Sequence, residues 1–323
     1  MGQYTWTNDV PSGTLKSHFI TAKLYEEAVA NTKLFQFVDP VDGFGKGKGE
    51  TVSLTRIAAI SEPTSDELVE GTKISEDTYA VTQTSVTVKE RGRAVPLTSL
   101  VKDLSNYDLG SSVERELRRQ MTLTLDTNAA VAYRKAFGKY VPTGAASSTK
   151  ETSAAAVSAT ATSNIGVFHI KEIYDLLYDT YKTPPFEGDD YIGVFRHKSV
   201  AGLRDDDDWI EWQKYTSPLG LEQNEVGKIA NVRIIDTNHG NTDVSAPKGL
   251  LLHGTSDVLG EGFVFGEDAV VVAMVQEPEL RMKAPQDYGR DQGVAWYGIY
   301  ELAAVHTAAT EGQCRIMHVG SVD

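Results

Sequence analysis

The segment SSVERELRRQMTLTLDTNAAVAYRKAF, residues 111–137, is the most informative part of the chain. Ser111 and Glu114 have the spacing of a capping box, in which serine and glutamate oxygens accept hydrogen bonds from the free N–H groups at the start of a helix. We therefore predict a helix that begins here and ends near Gly138, because glycine readily adopts the left-handed conformation that closes helices. Such a helix would be about 40 Å long at ~1.5 Å per residue.

The predicted helix has one polar and one largely apolar side. Arg115, Arg119 and Asp126 fall on the polar side. Apolar and small residues repeat at helical spacing on the other side, namely Val113, Leu117, Met121, Thr124, Leu125, Asn128, Val131, Ala132 and Ala136. Taken alone, this pattern also fits an ordinary amphipathic helix of an enzyme domain. The sequence on either side of the helix favours a structural role.

Composition restricts the possible classes of protein. The chain has 323 residues, of which 41% are hydrophobic, so it can bury one large core or two moderate ones. Its single cysteine, Cys314, excludes an internal disulfide and favours a reducing compartment. The longest apolar run, Ala269 to Val275, is too short for a membrane helix. A net charge of −14 opposes wide contact with nucleic acid but suits the wall of a container.

The chain begins with a predicted arm and a glycine-rich segment. Ser12 to Asn31 has the apolar spacing of an amphipathic helix. Asp39 to Gly49 (DPVDGFGKGKG) then alternates glycine with lysine, but its spacing fits neither a Walker loop nor a dinucleotide fingerprint. We predict a hinge, formed by residues that tolerate unusual backbone dihedrals: Gly43, Gly45, Gly47 and Gly49.

Two predicted strands follow, joined by a long acidic connection. Thr51 to Ile57 alternates in the manner of a strand with one side in water, and Tyr79 to Lys89 does so again. In the second strand the apolar parity changes, which predicts a bulge or a change of sheet near Thr82 to Ser85. Because the connection is too long for a compact hairpin, we expect it to project toward another molecule. Its carboxylates are more consistent with a solvated surface than with catalysis: Glu62, Asp66, Glu67, Glu70, Glu76 and Asp77.

The region after the long helix changes from mixed structure to strands. Ser147 to Asn164 is a low-complexity Ala, Ser and Thr stretch, which we interpret as a surface excursion. Ile170 to Tyr181 has helical spacing, and Tyr191 to Arg196 is typical of a buried strand. The remaining predicted strands are Lys228 to Asp236, Gly249 to His253, Gly262 to Phe265, Ala269 to Gln276, Val294 to Val305 and Arg315 to Val319. This order, without regular α/β alternation, indicates an α+β fold.

Familiar catalytic and metal-binding motifs are absent from the sequence. There is no Gly-x-Ser-x-Gly elbow, His-Glu-x-x-His pair or Cys-x-x-Cys pair, and the seven histidines lack zinc spacing. The run Asp205 to Asp208 lacks the spacing of a calcium loop, so we predict a solvated loop there. We predict no catalytic residues, no metal and no cofactor, although an enzyme site can escape a motif search.

The order of these parts resembles the major capsid protein of tailed bacteriophages, with the Hong Kong 97-like fold. Three stretches carry the resemblance: VSLTRIAAISEPTSDELVEGTKIS for the extended hairpin (E-loop), SSVERELRRQMTLTLDTNAAVAYRKAF for the spine helix, and PPFEGDDYIGVFRHKSVAGLRDDDDWIEWQKY with GKIANVRIIDTN for the axial (A) domain. The sequence looks closest to the coat proteins of the short-tailed coliphage N-four group. The resemblance spans nearly the whole chain.

The resemblance implies a division of the chain and a role for each part. It makes 1–45 an N-terminal arm, 46–85 the E-loop, 86–164 the peripheral (P) domain with the spine helix, 165–275 the A domain, and 276–323 the return strands of the P domain. Lys46 and Lys48 would lie at the root of the E-loop. The acidic hairpin would contact a neighbour's spine through Arg115, Arg118 and Arg119. No motif selects a lysine–asparagine pair for crosslinking.

The implied function is assembly of pentamers and hexamers into an icosahedral shell around double-stranded DNA, bound without sequence specificity. Scaffolding, portal and possibly decoration proteins would be partners, and the virion capsid, assembled in the host bacterial cytoplasm, would be the location. Two alternatives stay open at this point. One is an encapsulin-type shell around protein cargo, and the other is a hydrolase or sugar-binding enzyme with a scattered acidic site.

Overall fold

The computed structural model describes residues 30, 32–58, 60, 62–63, 66–71, 73–74, 76–105, 108–151, 163–204, 225–241, 248–250, 252–253, 259–306, 308 and 312–322. The predicted helix at Ser12 to Asn31 lies almost wholly outside these residues, and the acidic run Asp205 to Asp208 lies outside them entirely. The helices are α1 (Ser99–Leu104), α2 (Leu109–Tyr133), α3 (Val167–Asp175) and α4 (Ala201–Arg204). A π-helix, Leu176–Thr180, continues α3, which confirms the helix predicted there.

The strands in chain order begin with β1 (Asp39–Pro40), β2 (Thr51–Ile57), β3 (Val81–Thr87), β4 (Lys89–Thr98), β5 (Gly138–Gly144), β6 (Ser147–Glu151) and β7 (Tyr191–Arg196). The second half of the chain adds β8 (Glu225–Ile229), β9 (Val232–Thr237), β10 (Leu252–His253), β11 (Leu259–Phe265), β12 (Val270–Met282), β13 (Asp291–Ala304) and β14 (Ile316–Val322). The mixture of helices and sheets confirms the α+β fold class.

The long helix α2 exists, but both of its ends differ from the prediction. Asp108 is the N-cap, and its carboxylate accepts hydrogen bonds from the N–H groups of Gly110 and Ser111 at 3.1 and 3.4 Å. The predicted capping box at Ser111 is therefore wrong, because an aspartate three residues earlier already holds these groups. Gly138 does not close the helix either. It begins β5, where a Cβ atom would lie 2.8 Å from the sulfur of Cys314.

A four-stranded sheet lies against α2, with the strand order β1-β12-β13-β4. Its long central pair, β12 and β13, is antiparallel and is interrupted by register shifts near Gln276. On α2, Leu117 is 3% exposed and packs in one cluster with Val294 and Trp296 of β13. Burial of this apolar surface favours docking of the helix on the sheet.

A second, eight-stranded sheet has the order β6-β5-β14-β11-β7-β9-β8, with β10 paired to β11. The division made from the sequence assigns β5, β6 and β14 to the P domain and β7 to the A domain, but all four strands belong to this one sheet. The domain boundaries stay a prediction. Ser147–Glu151 is strand β6 and pairs with β5, so these residues of the predicted surface excursion belong to the sheet. The single strand predicted at Lys228 to Asp236 is a hairpin, with left-handed residues at Ala230 and Asn231 forming the turn.

Strands β2 and β3 form a separate two-stranded antiparallel hairpin. Their register runs without a shift from Thr51–Thr87 to Ile57–Val81, so the bulge predicted near Thr82 to Ser85 is absent. The alternative, a change of sheet, does occur, but only at Val88, since the chain continues there from β3 into β4 of the four-stranded sheet. The apolar residues change from odd to even positions along this strand because Val81 is half-exposed, whereas Val86 is buried.

Candidate assembly interface

The hairpin and its described connection expose both acidic and apolar side chains. All four carboxylates predicted to make contacts between subunits are exposed: Glu62, Asp66, Glu67 and Glu70. Large apolar side chains in the same region are also exposed, namely Ile57, Ile60, Leu68, Val69, Ile74, Tyr79 and Val81, at 50–70%. Sequence analysis singled out the charges and missed this apolar surface. Exposed apolar surface of this extent usually marks a site of contact with another molecule.

The root of the hairpin is anchored on the body of its own subunit. Arg56 Nη1 donates a hydrogen bond of 3.0 Å to the carbonyl oxygen of Val305, just beyond the end of β13. The Nε atom of Arg56 also donates to the Thr82 hydroxyl across the hairpin at 2.7 Å. These contacts fix the direction in which β2 and β3 leave the four-stranded sheet, so the hairpin has a defined starting orientation.

The glycine-rich segment makes an open turn before the hairpin. Gly43, Gly47 and Gly49 have φ values of 72°, 81° and 91°, and a Cβ atom at any of them would meet no atom within 4 Å. Conformation rather than crowding therefore requires glycine at these positions. Lys46 and Lys48 are exposed in the same turn. Whether the segment acts as a hinge stays a prediction, and Gly45 is not in the left-handed region.

The three arginines predicted on the spine helix do not share one environment. Arg115 and Arg118 are exposed. Arg119 is partly buried and its guanidinium lies 2.6 Å from the Glu116 carboxylate of the same helix. Because Arg115 and Arg118 are more exposed than Arg119, they are the better candidates for contact with a neighbour.

A groove of about 700 Å³ lies beside the spine helix, along the free edge of β4. Arg93 and Lys248 line it and are exposed, and Arg91 lines it while bonded to Glu301 at 2.8 Å. Gln120, Thr124 and Thr127 of α2 form the opposite wall. Glu90 also lines the groove and is exposed, so the groove carries mixed charge with an excess of basic residues.

Asp126 lies on the buried side of α2, so its assignment to the polar side was wrong. The residue is 1% exposed. One carboxylate oxygen accepts from the N–H groups of Leu34 and Phe35 at 2.8 and 3.2 Å, and the other lies 2.7 Å from His239 Nδ1. A buried carboxylate is stable only with such partners. Asp126 therefore ties the segment at Leu34 and Phe35 to the spine helix.

A second buried polar cluster joins the end of α2 to the eight-stranded sheet. Arg134 Nε donates to the Glu261 carboxylate at 2.8 Å, and its Nη2 donates to the Gly249 carbonyl oxygen. His318 lies between Glu261 and Lys139, with Nε2 2.7 Å from the Glu261 carboxylate and Nδ1 2.9 Å from Lys139 Nζ. No sequence motif reveals this cluster, because its members come from α2, β5, β11 and β14.

Burial and charge shift the pKa values in this cluster. Burial lowers the pKa of His318 from its ordinary 6.5 to about 4, since desolvation disfavours the charged ring more than Glu261 favours it. Burial alone would raise the pKa of Glu261, but the contact with His318 and the charge of Arg134 outweigh it and hold the value at about 2. Near neutral pH, Glu261 is therefore charged and His318 is neutral.

We searched the described residues for metal-binding groups, membrane-spanning helices and a reactive thiol. Within them, no group of three or more His, Cys, Asp or Glu side chains converges on a possible metal position. None of the helices in this part of the chain is long and apolar enough to span a membrane. Cys314 is buried, and its burial raises the pKa of the thiol to about 11, which disfavours the nucleophilic thiolate.

Comparison with known proteins identifies solved structures with a similar fold. No family model and no curated protein matches the sequence. Solved structures that match over nearly the whole chain include several phage capsids, so the chain has the fold of phage capsid proteins. The acid-stable capsid of Helicobacter pylori bacteriophage KHP30 aligns with a TM-score of 0.71 and 12% identity over 97% of both chains. The capsid of Ralstonia phage GP4 gives 0.67 and 15% over 97% of both, and that of cyanophage Pam1 gives 0.67 and 13% over 100% of both.

Proposed function

We propose that this chain is the major capsid protein of a tailed phage. The observation that carries the proposal is the agreement of fold over 97–100% of both chains with the capsid proteins of three different phages. A match of this extent leaves little room for an additional catalytic domain within the sequence. The exposed acidic and apolar hairpin supports the same function, because a capsid subunit needs surface that is covered only after assembly.

In this proposal the copies form pentamers and hexamers that close into an icosahedral shell. The hairpin of one copy reaches a neighbour, and its acidic residues meet Arg115 and Arg118 of the neighbour's spine helix. The groove beside that helix, which Arg93 and Lys248 line together with Glu90, extends the surface available for this contact. Each exposed ion pair contributes only ~0.2 to 1 kcal/mol, so strength comes from repetition over the shell. The glycine segment lets the hairpin change direction as the shell matures.

The shell would enclose double-stranded DNA without reading its sequence. A net charge of −14 fits this role, because a wall that repels phosphate does not trap the genome. Scaffolding, portal and possibly decoration proteins are the further partners we propose, with assembly in the host bacterial cytoplasm. The closer likeness to the N-four group also stays part of this proposal.

The two alternative functions receive less support. An encapsulin shell would enclose protein cargo, whereas the structures reported above are phage capsids. A metal-dependent hydrolase would need converging metal ligands, and the described residues bring no such group together.

Negative-stain electron microscopy tests the proposal, using protein purified after expression alone and after expression together with other phage proteins. We expect closed shells or capsomer rings of uniform size. Nuclease-resistant double-stranded DNA in native particles distinguishes a phage capsid from an encapsulin. A small fixed oligomer that turns over a metabolite would contradict the proposal.

A further inference from the structure

The outer edge of β4 is a strand edge without a partner. In the four-stranded sheet, β4 pairs with β13 on one side, and among the described residues no strand pairs with its other side. Glu90 to Arg93 of this strand line the groove of about 700 Å³ beside the spine helix. Their unpaired main-chain groups therefore lie along the groove. An open strand edge of this kind is a template for pairing with the main chain of a further segment.

The groove contains two basic side chains that have no ion-pair partner. Arg93 and Lys248 are exposed, and the side chain of neither forms a salt bridge or a hydrogen bond to a described residue. The acidic residue of the lining, Glu90, hydrogen-bonds to the Tyr297 hydroxyl. Because side chains alternate between the two faces of a strand, Glu90 projects from the face opposite to Arg93. The free charge on the spine side of β4 is therefore positive.

The wall of the groove also holds a nearly buried histidine with one ring nitrogen left over. The side chain of His239 is 8% exposed, and its Nδ1 lies 2.7 Å from the Asp126 carboxylate. Its Nε2 forms no hydrogen bond to any residue that the structure describes. Buried polar atoms normally have a partner, so Nε2 is a place where a polar group of a ligand would bind.

A segment of the acidic connection has the complementary properties. Asp66 to Val69 are exposed and belong to no helix or strand, and none of their main-chain groups bonds to another described residue. The carboxylates of Asp66, Glu67 and Glu70 likewise have no ion-pair partner in the described part of the chain. A turn ends the segment at Gly71, where φ is 82°. The segment thus has free main-chain groups and free negative charge.

We infer that Asp66 to Val69 of one copy add a strand to the free edge of β4 in a second copy. Charge complementarity identifies the occupant, because its unpaired carboxylates meet the unpaired Arg93 and Lys248. Asp66 and Glu67 stand at even and odd positions, so either face of the added strand brings a carboxylate to the spine side of β4. Main-chain hydrogen bonds supply affinity in such strand addition, and the side chains supply specificity.

The segment and the strand edge are different surfaces of every copy. The contact is therefore heterologous and can repeat around a closed ring of subunits. The inference rests on the proposed function, since its partner is another copy of this chain, and it specifies how the hairpin binds. Ion pairs alone between exposed side chains would contribute little, whereas the added strand also satisfies main-chain groups that are unpaired in the single subunit.

The first test measures binding of a synthetic peptide of residues 60–77 to the full-length, unassembled subunit by fluorescence anisotropy. Alternate residues of a strand bond to the same neighbouring edge, so the effect of N-methylation depends on position. Methylation of the N–H groups of residues 66 and 68, or else of residues 67 and 69, should weaken binding about tenfold or more, and the other pair should have little effect. Equal effects of the two pairs, or no binding of the unmodified peptide, would overturn the inference.

The second test removes the charges of the groove. Arg93→Ala with Lys248→Ala should weaken binding of the same peptide about fivefold or more, with a smaller effect at high salt, because salt screens exposed charges. Lys171→Ala with Lys198→Ala removes two exposed cations elsewhere and serves as the matched control. An equal loss in both double variants would overturn the specific contact. Tighter binding of duplex DNA than of the peptide in competition would assign the groove to nucleic acid and would also overturn it.

The third test concerns assembly. Arg93→Glu with Lys248→Glu should keep the thermal unfolding midpoint of the subunit, because both side chains are exposed, but should lower particle yield about tenfold or more. Lys171→Glu with Lys198→Glu makes the same change in net charge and should assemble. Normal particle yield from the groove variant would overturn the inference while leaving the proposed capsid function intact. Failure of the unmodified protein to form particles would instead count against the proposed function.

Discussion

The carboxylate of Asp126, in the middle of the spine helix, accepts a hydrogen bond of 2.8 Å from the main-chain N–H of Leu34, which lies 92 residues earlier. Leu34 is itself fully buried, and its side chain belongs to the core cluster that contains Tyr133 and Phe265. Leu34 is therefore held against the spine by one polar contact and one apolar contact. Any motion of this segment that breaks the hydrogen bond to Asp126 must also expose the side chain of Leu34.

Replacing Asp126 with alanine should destabilise the subunit by about 1 to 3 kcal/mol, because it leaves the N–H of Leu34 and the ring of His239 buried without their acceptor. Asp126→Asn keeps one carbonyl oxygen and should cost less. The free energy of unfolding in urea measures both effects. Asp175→Ala removes an exposed carboxylate from α3 and should have little effect. Equal stability of Asp126→Ala and the unmodified subunit would show that the contact is unimportant.

The subunit should lose stability as the pH falls from about 6.5 to 4, because His318 has a pKa of about 4 in the folded state and 6.5 when unfolded. Over this range the unfolded state binds the extra proton, so its relative free energy falls. Glu261, with a folded pKa of about 2 against the ordinary 4.5, extends the loss below pH 4.5.

His318→Gln should flatten the dependence of the unfolding midpoint on pH between 6.5 and 4. The unmodified subunit, measured in parallel, provides the reference slope. Thermal unfolding at half-unit intervals of pH measures both slopes. An unchanged slope in His318→Gln would place the acid sensitivity elsewhere.

The double reversal Glu67→Lys and Glu70→Lys should leave the subunit folded but reduce particle yield, because both carboxylates are exposed and have no role in the core. Asp175→Lys with Asp179→Lys makes the same change in net charge at exposed positions outside the hairpin and should assemble. Sedimentation separates particles from free subunits. A similar loss in both double variants would indicate an effect of overall charge rather than a specific contact. Recovery of particles when Arg118→Glu is added would identify the partner.

Leu117→Ala should destabilise the subunit by about 2 to 5 kcal/mol, because the removed side chain fills space against Val294 and Trp296. Leu117→Asp would in addition bury a charge and should abolish soluble expression. Val131→Ala, on the same helix but 40% exposed, is the matched control and should change stability little. Soluble yield and urea unfolding measure these effects. Soluble, stable Leu117→Asp would contradict the packing of the helix on the sheet.

Local sequence patterns predicted the regular elements well. Helical period predicted α2 and α3, and alternation predicted β2, because these patterns depend on residues that are neighbours along the same element. The order of the elements then led to the α+β class and to the capsid resemblance, which the shared fold supports. The predicted ends of α2 were wrong, because the position of a cap depends on which of several nearby polar side chains bonds to the free N–H groups.

The sequence by itself determined where the long helix and the projecting hairpin lie, since their periodicities are properties of short segments. Only the tertiary structure decided that Asp126 is buried, because its partners Leu34 and His239 come from distant parts of the chain. The same holds for the cluster around Glu261, and for the membership of β14 in the eight-stranded sheet. Contacts between residues far apart in sequence leave no periodic signal, so the burial of a charge or the choice of a sheet is settled only when the whole chain has packed.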